Sequence, residues 1–234
     1  MIGVRLPAIA LATVVLAAAL SPAAGADVRL STERSVTRWA HANLRAKVHR
    51  HPSARSRTIA RLRWQTEDGP PEVYVLLRSR RVRGATWMQI RIPGRPNGRT
   101  GWVHRDALSG LHVVHTALTI SQRTLRATLT RRGRVIWTSR VGMGAPRTPT
   151  PKGRFWIRER LHGLGGSYGP WAFGTSAYSN QLTCWPGGGV IGIHGTDAPG
   201  LIPGRPSHGC IRVPNWAITR LARLMPIWTP VRIR

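Results

Sequence analysis

Short apolar stretches separated by turn-forming residues recur along residues 43–108. The breaks between them are rich in Pro, Gly, Asn and Asp, which is typical of loops between β-strands. We therefore predict a small barrel at residues 43–109. Its predicted strands are Leu44–Val48, Thr58–Leu62, Val73–Leu77, Trp87–Ile92 and Gly101–Val103. Residues 27–42 are polar and weakly patterned, which favours a linker.

The second half of the chain has the alternation of a half-buried sheet. Apolar and polar side chains alternate along Thr124–Thr138 around a break at Arg132-Gly133, which predicts a hairpin. Phe155–Ile157 and Val231–Ile233 are further predicted strands, and the Gly-rich Leu161–Gly174 favours an ordered loop or flap.

One segment has helical periodicity. In Pro214–Leu224 and the next residue, apolar side chains recur at i, i+3, i+4 and i+7, and Pro214 suits a first helical turn. The predicted fold class is therefore mainly β: a small barrel, then a second β-rich domain at residues 110–234 with a C-terminal helix.

The first 26 residues have the organisation of a secretion signal. Met1–Arg5 is positively charged, Leu6–Leu20 carries no charge, and Ala24-Gly25-Ala26 fits a cleavage site. We predict export to the periplasm or cell wall and a mature protein without a transmembrane segment. The apolar run is shorter than the ~20 residues that a membrane helix needs, so an uncleaved anchor is the less favoured alternative.

The chain is strongly basic, with 36 Lys and Arg against eight Asp and Glu and a net charge of +28. Such a field favours nucleic acid in a cytosolic protein. For an exported protein we expect no nucleic-acid partner and instead the anionic polymers of the cell envelope. A solvated arginine-rich surface is the alternative interpretation.

Two cysteines, Cys184 and Cys210, raise the question of a disulfide. An exported protein meets oxidising conditions, which keeps a bridge between them open as an alternative. Two cysteines are too few to form a framework for a chain of this length. We therefore favour two free thiols, of which Cys210 is the reactive one.

The candidate chemistry lies in Ser207-His208-Gly209-Cys210, which follows His194-Gly195-Thr196 along the chain. A nearby imidazole is the usual means of forming a nucleophilic thiolate at neutral pH. Gly209 allows a tight turn whose N–H groups face a developing oxyanion. Taken singly, Cys210 or either His could instead be a buried structural residue, and this is the alternative interpretation. A zinc site is disfavoured because the spacing lacks Cys-x-x-Cys or His-x-x-x-His.

These motifs resemble the signature of the L,D-transpeptidase (YkuD-type) catalytic domain. Val141-Gly142 and Thr148–Phe155 likewise resemble that family's Gly…Thr-Pro-x-Gly-x-Phe segment, and the resemblance spans about Val113–Arg234. It implies a β-sandwich-like catalytic domain. Separately, the segments Asn43–His49, Trp87–Ile90 and Thr100–Val103 resemble bacterial SH3-like domains, a family often used for targeting to the cell wall.

The resemblance also implies roles. Cys210 would attack the carbonyl of the third residue of a peptidoglycan stem tetrapeptide, with His194 as base and the Gly195 carbonyl orienting that imidazole. D-Alanine would leave, and an amine of another stem peptide would resolve the thioester. His208 and the N–H groups of Gly209 and Cys210 would line the oxyanion site, and no cofactor or metal is implied.

We assign substrate binding to four side chains, and for three of them a structural role is the alternative. Arg212 suits a substrate carboxylate, or else forms a structural ion pair. Tyr168 and Trp171 would shape a peptide groove, or else pack, and Ser207 belongs to the motif itself. The expected function is peptidoglycan cross-linking. The alternatives are an L,D-carboxypeptidase or another cysteine peptidoglycan hydrolase, and a non-catalytic basic cell-wall-binding protein.

Overall fold

The strands of the chain are divided between two sheets, one built from residues 28–114 and the other from residues 116–233. The structure is a computed structural model that describes residues 25–183 and 186–234. Nearly all of the predicted secretion signal, as well as Cys184 with its possible disulfide, lies outside the described residues.

The first sheet is antiparallel throughout. Its strands run in the order β4-β3-β7-β6-β5-β2-β8, with β1 beside β5. Their bounds are β1 Val28–Arg29, β2 Thr37–Ala40, β3 Lys47–His49, β4 Thr58–Arg61, β5 Tyr74–Val82, β6 Ala85–Arg91, β7 Thr100–His104 and β8 His112–Val114.

The expected linker at residues 27–42 is part of this sheet. β1 pairs with β5, and β2 lies between β5 and β8, where Trp39 and Ala40 are buried. These strands are two and four residues long, too short to show a periodic apolar pattern.

The second sheet is mixed and runs in the order β11-β10-β9-β18-β13-β14-β15-β17-β12-β16. Parallel pairs join β9 to β18, β15 to β17 and β12 to β16. The bounds are β9 Thr116–Ser121, β10 Arg126–Arg131, β11 Arg134–Arg140, β12 Gly142–Gly144, β13 Gly153–His162, β14 Trp171–Tyr178, β15 Val190–His194, β16 Gly204–Ser207, β17 Ile211–Arg212 and β18 Pro230–Ile233.

Helix α1, Asn215–Leu224, packs against one face of the second sheet. Its buried side chains are Ala217, Ile218, Leu221 and Ala222, which join the core beneath β13, β14 and β15. The mainly β fold class is confirmed. The loop expected at Leu161–Gly174 is present but shorter: residues 163–170 connect β13 to β14 and include a 3₁₀ turn at Gly166–Tyr168, while both ends of the segment are strand.

A separate apolar cluster joins the two sheets. Trp156 of β13 packs with Trp39, Val73, Val75 and Val114 of the first sheet. The Trp156 indole donates a hydrogen bond to the Val73 carbonyl at 3.0 Å. Because Trp156 is only 2% exposed, the first sheet covers this face of the second sheet.

A buried ionic network lies beside this cluster. The Arg158 guanidinium of β13 has no exposed surface, and its Nε lies 2.8 Å from Glu72 of the first sheet. It also lies 2.8 Å from Glu67 and donates to the Tyr178 hydroxyl at 3.1 Å. Burial alone would lower the pKa of Arg158, but the hydrogen bonds and charge of Glu72 raise it above its ordinary value.

Glu72→Gln is expected to destabilise the fold by about 3 kcal/mol, because it leaves the buried Arg158 with one fewer counter-charge. Asp27→Asn is the matched control. Asp27 also pairs with two arginines, Arg78 and Arg80, but on the surface, so its loss is expected to cost less than about 1 kcal/mol. Urea unfolding followed by circular dichroism measures both, and equal effects would contradict the assigned role of the network.

Candidate active site

A tight turn between β16 and β17 carries Cys210. The buried Ser207 hydroxyl donates to the Cys210 carbonyl and accepts the Gly209 N–H at 3.1 Å. Gly209 has φ +124°, and a Cβ on it would lie 3.0 Å from the Ile191 side chain. Only glycine meets both conditions without strain, so Ser207 and Gly209 together set the position of the cysteine.

The Pro-rich loop at residues 146–151 supports this turn from below. The Thr150 hydroxyl donates to the Gly209 carbonyl at 2.8 Å and accepts the Gly144 N–H at 2.9 Å. Thr150 is 2% exposed. The family-like Thr-Pro segment thus acts through the backbone of the turn, a role that the sequence did not reveal.

Parallel pairing of β15 with β17 brings the two motifs together. His194 lies in register with Arg212, and Ile193 with Ile211. The Gly192 N–H donates to the Cys210 Sγ at 3.3 Å. A Cβ on Gly192 would lie 3.7 Å from the His194 Cδ2 and 3.8 Å from the Cys210 Sγ, so the imidazole and the thiol flank this glycine.

His194 is held in one orientation. Its Nδ1 lies 2.7 Å from the Gly195 carbonyl. A carbonyl only accepts, so Nδ1 carries the proton and Nε2 is the nitrogen left to accept one. The Tyr168 ring covers the imidazole at a centroid distance of 4.8 Å.

Gly195 is required by its surroundings. A Cβ there would overlap the Asn215 side-chain oxygen and approach Gly169 Cα to 2.9 Å. That Asn215 oxygen accepts the Thr196 N–H at 2.9 Å, which ties the first turn of α1 to the loop after His194.

The thiol and the imidazole are both neutral at rest. Burial raises the pKa of Cys210, although the Gly192 N–H and the Arg212 charge each oppose that shift. Burial also lowers the pKa of His194, and the Arg212 charge lowers it further, against hydrogen bonds with the backbone of Gly195 and Ser167. The site therefore holds a base ready to take the thiol proton rather than a preformed ion pair.

Two cavities meet at Cys210. The first has a volume of about 120 Å³ and is lined by Arg212, Tyr168, His208, Ser179 and Leu182 among others. The second has about 210 Å³ and is lined by Asp68, Glu159, Leu161, Gly174 and Gly192 among others. Cys210, His194 and Tyr168 line both, so the thiol is open from two sides.

The first sheet contributes to the walls of both cavities. Asp68 lines the second directly. In the first, the Arg95 guanidinium donates to the Ser179 carbonyl at 2.9 Å, and the Asn97 amide donates to the Tyr178 carbonyl at 2.7 Å. These contacts fix the segment that leads to Ser179 and Leu182.

The structure brings together most of the residues predicted for the site. Cys210, His194, Arg212, Tyr168, Ser207 and the exposed His208 all line the first cavity. Trp171 does not line either cavity: it packs against the core and against Arg160 and His162. It alternates with Ala172, which lines the second cavity, and therefore points to the other face of β14.

The Gly209 N–H, expected at the oxyanion site, donates to the Ser207 hydroxyl at 3.1 Å in this structure. The Cys210 N–H is the candidate donor that this turn retains. Ser207 likewise shapes the turn through its hydroxyl rather than presenting that hydroxyl to a substrate.

Four residues of the site were missed by sequence reasoning: Gly192, Asn215, Glu159 and Asp68. The strand Val190–His194 offered one signal, since a glycine inside a strand often marks a close approach. The other three depend on contacts that are distant in sequence.

Among the described residues no group of three His, Cys, Asp or Glu is arranged to hold a metal ion. Within the same residues no helix is long and apolar enough to cross a membrane.

Comparison with known proteins gives a consistent family. The YkuD model, described as the L,D-transpeptidase catalytic domain, matches residues 115–233. The protein named "Putative L,D-transpeptidase YkuD" of Bacillus subtilis (strain 168) is 34% identical over 119 residues, which cover 51% of this chain and 65% of that relative. Its Bacillus licheniformis counterpart is 34% identical over 117 residues, 50% of this chain and 63% of the relative.

The chain thus spans slightly less than two thirds of the length of these relatives. Among solved structures, an L,D-transpeptidase from Mycobacterium smegmatis aligns with a TM-score of 0.43 and 12% identity, over 64% of this chain and 90% of that one.

Alkylation of Cys210 by iodoacetamide is expected to rise with pH along a curve whose apparent pKa lies above that of an ordinary thiol, because burial disfavours the thiolate. Arg212→Gln is expected to move that pKa higher, since the Arg212 charge lowers it. Mass spectrometry of the Cys210 peptide measures the rate, with the exposed Arg220→Gln as control. A fall in the apparent pKa on loss of Arg212 would contradict the electrostatics.

Proposed function

The chain belongs to the YkuD family of L,D-transpeptidase catalytic domains, and from that premise we propose that it cross-links peptidoglycan through a thioester on Cys210. The observation that carries the proposal is the meeting of His194 and Cys210 around Gly192, with two cavities opening onto the thiol. A transferase needs two approaches to the same atom, one for the acyl donor and one for the acceptor.

In the first step, Nε2 of His194 takes the Cys210 proton as Sγ attacks the carbonyl carbon of the third residue of a stem tetrapeptide. The resulting oxyanion is stabilised by the Cys210 N–H, since preorganised donors act strongly in a site shielded from water. The peptide C–N bond then breaks, and the imidazolium returns the proton to the departing D-alanine amine.

The imidazole is suited to this exchange by its tautomer. The Gly195 carbonyl binds the Nδ1 proton, so that Nε2 faces the reaction as an acceptor. The lowered pKa of His194 keeps the ring neutral until the thiol proton arrives. A backbone carbonyl therefore fills the orienting position that a carboxylate has in a Ser-His-Asp triad.

Arg212 is suited to bind the donor's terminal carboxylate in the first cavity. Its Nε is buried and has no hydrogen-bond partner among the described residues, which is costly for a guanidinium. A carboxylate accepts from such a donor in bidentate geometry. Tyr168, which covers His194, forms an aromatic wall of the same cavity.

In the second step an amine of a neighbouring stem peptide attacks the thioester carbonyl, the C–S bond breaks, and the amine proton returns to the thiolate through His194. The product is a 3→3 cross-link. Water in place of the amine would make the protein a carboxypeptidase, so the function depends on how the acceptor is held.

The first half of the chain is proposed to be an SH3-like module of an exported protein. Support comes from the ladder β4-β3-β7-β6-β5 of short antiparallel strands and from the secretion-like residues 1–26. The charge of +28 favours retention on anionic polymers of the envelope.

Cys210→Ala is expected to abolish the thioester and all turnover while leaving binding to isolated cell-wall sacculi unchanged, because the nucleophile is lost but the basic surface is not. Intact-protein mass spectrometry with a stem tetrapeptide detects the thioester, and product analysis detects cross-linked dimer. Tripeptide without dimer in the wild type would favour the hydrolase, and sacculus binding without any thioester would favour the non-catalytic binder.

Arg212→Gln is expected to raise the KM for the tetrapeptide about tenfold or more, since a charge-assisted hydrogen bond to the donor carboxylate contributes roughly 1.5–3 kcal/mol. The KM for the same peptide with a C-terminal amide should change little. Arg220→Gln, on the exposed face of α1, is the control. Equal effects of Arg212→Gln on the two peptides would contradict carboxylate binding.

A further inference from the structure

The second cavity has an acidic wall in a protein that is otherwise overwhelmingly basic. Of the eight acidic residues in the chain, Asp68 and Glu159 line this one cavity together with Cys210. Within the described part of the chain, neither forms a salt bridge with a surface arginine as Asp27 does with Arg78 and Glu33 with Arg154. The cavity therefore has a charge opposite to that of the protein around it.

A row of residues across the sheet connects Glu159 to the thiol. Glu159 of β13 pairs with Gly174 of β14, and Gly174 pairs with Gly192 of β15. The Glu159 carboxyl lies over Gly174, where it occupies the position of a Cβ. Gly192 in turn contacts the Cys210 Sγ. Two adjacent strands are ~4.8 Å apart. The Glu159 carboxyl, which lies over Gly174, is therefore one strand away from Gly192 and the sulfur that contacts it.

A bulge aims Glu159 at this cavity. The register of β13 against β14 shifts between Ile157 and Glu159, and Arg158 and Glu159 both contact the first sheet as a result. Arg158 contacts Glu72 at the junction, while Glu159 accepts a hydrogen bond from the Thr66 hydroxyl at 2.9 Å. The side chain is 3% exposed, so its position is well defined.

The first sheet supplies the second carboxyl. Asp68 lies at the exposed tip of a loop closed by the bridge between Gln65 and Pro71. Burial raises the pKa of Glu159 to about 7, and the neighbouring Asp68 charge contributes to the rise against the Thr66 hydrogen bond. A carboxyl with this pKa exchanges its proton readily at neutral pH.

We infer that the Asp68–Glu159 pair is the binding site for the acyl acceptor, a primary amine that arrives as an ammonium ion and is selected by these carboxylates. The inference rests on the proposed transpeptidase function and names the substrate chemistry of its second step. The positive field of the protein repels such a cation, so a local carboxylate pair is what makes this cavity accept it.

The two cavities divide the reactants by charge. Arg212, in the first, suits the carboxylate of the donor, and the carboxyl pair, in the second, suits the cationic acceptor. Attack requires a neutral amine. The ammonium gives one proton to the Glu159 carboxylate, which passes it to solvent through the cavity, and the freed amine attacks the thioester carbonyl between the cavities.

A binding experiment tests the inference without any turnover. The full chain carrying Cys210→Ala is titrated with Nα-acetyl-lysine amide and with the uncharged Nα-acetyl-norleucine amide, and binding is followed by NMR. We expect at least about tenfold preference for the cation, equivalent to ~1.4 kcal/mol. Adding Glu159→Gln or Asp68→Asn should reduce the preference below about threefold. Asp106→Asn, which removes an exposed carboxylate in the turn after β7, is the matched control and should keep the preference.

A kinetic experiment separates this inference from the proposed function. The wild-type thioester, once formed from a tetrapeptide, is challenged with Nα-acetyl-lysine amide or with hydroxylamine, which is neutral at pH 7. In Glu159→Gln and Asp68→Asn the thioester should still form. Its transfer to the lysine amine should fall about tenfold, and its reaction with hydroxylamine should change less than threefold.

Each outcome has one meaning. Equal binding of both probes, or equal loss of rate with both nucleophiles, overturns the acceptor site. A wild-type protein that forms no thioester overturns the proposed function, and the binding result still decides the acceptor site. If Glu159→Gln loses its cooperative thermal transition, Asp68→Asn, in an exposed loop, carries both experiments alone.

Discussion

The burial of Arg158 is the constraint on which the rest of the structure depends. A guanidinium without exposed surface has to be surrounded by carboxylates, and the nearest, Glu72, belongs to the other sheet. Satisfying that charge presses the first sheet onto β13 and encloses Trp156 between the two. The same contact carries the loop with Thr66 and Asp68 to the rim of the cavity beside Cys210. Charge compensation in the junction thus builds a wall of the site.

Glycine defines the space in which chemistry takes place. Gly192 leaves room for the thiol and the imidazole that flank it, Gly174 makes room for Glu159, and Gly195 lets the loop after His194 pass beneath Asn215. None of these positions is demanded by a turn. Each is demanded by a neighbouring side chain or backbone. As a result, the part of the sheet between the Cys210 thiol and the Glu159 carboxyl carries no side chains.

Local pattern predicted what is local in this fold. Helix α1 and the hairpin of β10 and β11 follow from spacing and turn residues, and the family-like motifs singled out His194 and Cys210 before any geometry was known. The limits have physical causes. β1 and β2 are only two and four residues long, too short to show a pattern, and the Gly209 N–H is bound by a hydroxyl two residues away. The environment of Glu159 depends on a bulge and on Thr66, 93 positions earlier in the chain.

Residues of both sheets form the wall of the second cavity, and this has a consequence for how such a protein evolves. Removing the first sheet would expose Arg158, which is now buried, and would remove one wall of the second cavity. The two halves of the chain are therefore not freely exchangeable modules. Substrate preference then depends on residues of both sheets. The proposed acceptor site implies that a substitution at the tip of the Gln65–Pro71 loop alters which nucleophile is accepted while every residue of the cysteine motif stays the same. Proteins that share the His and Cys motifs but differ in the domain before them would thus join different acceptors by the same cysteine chemistry.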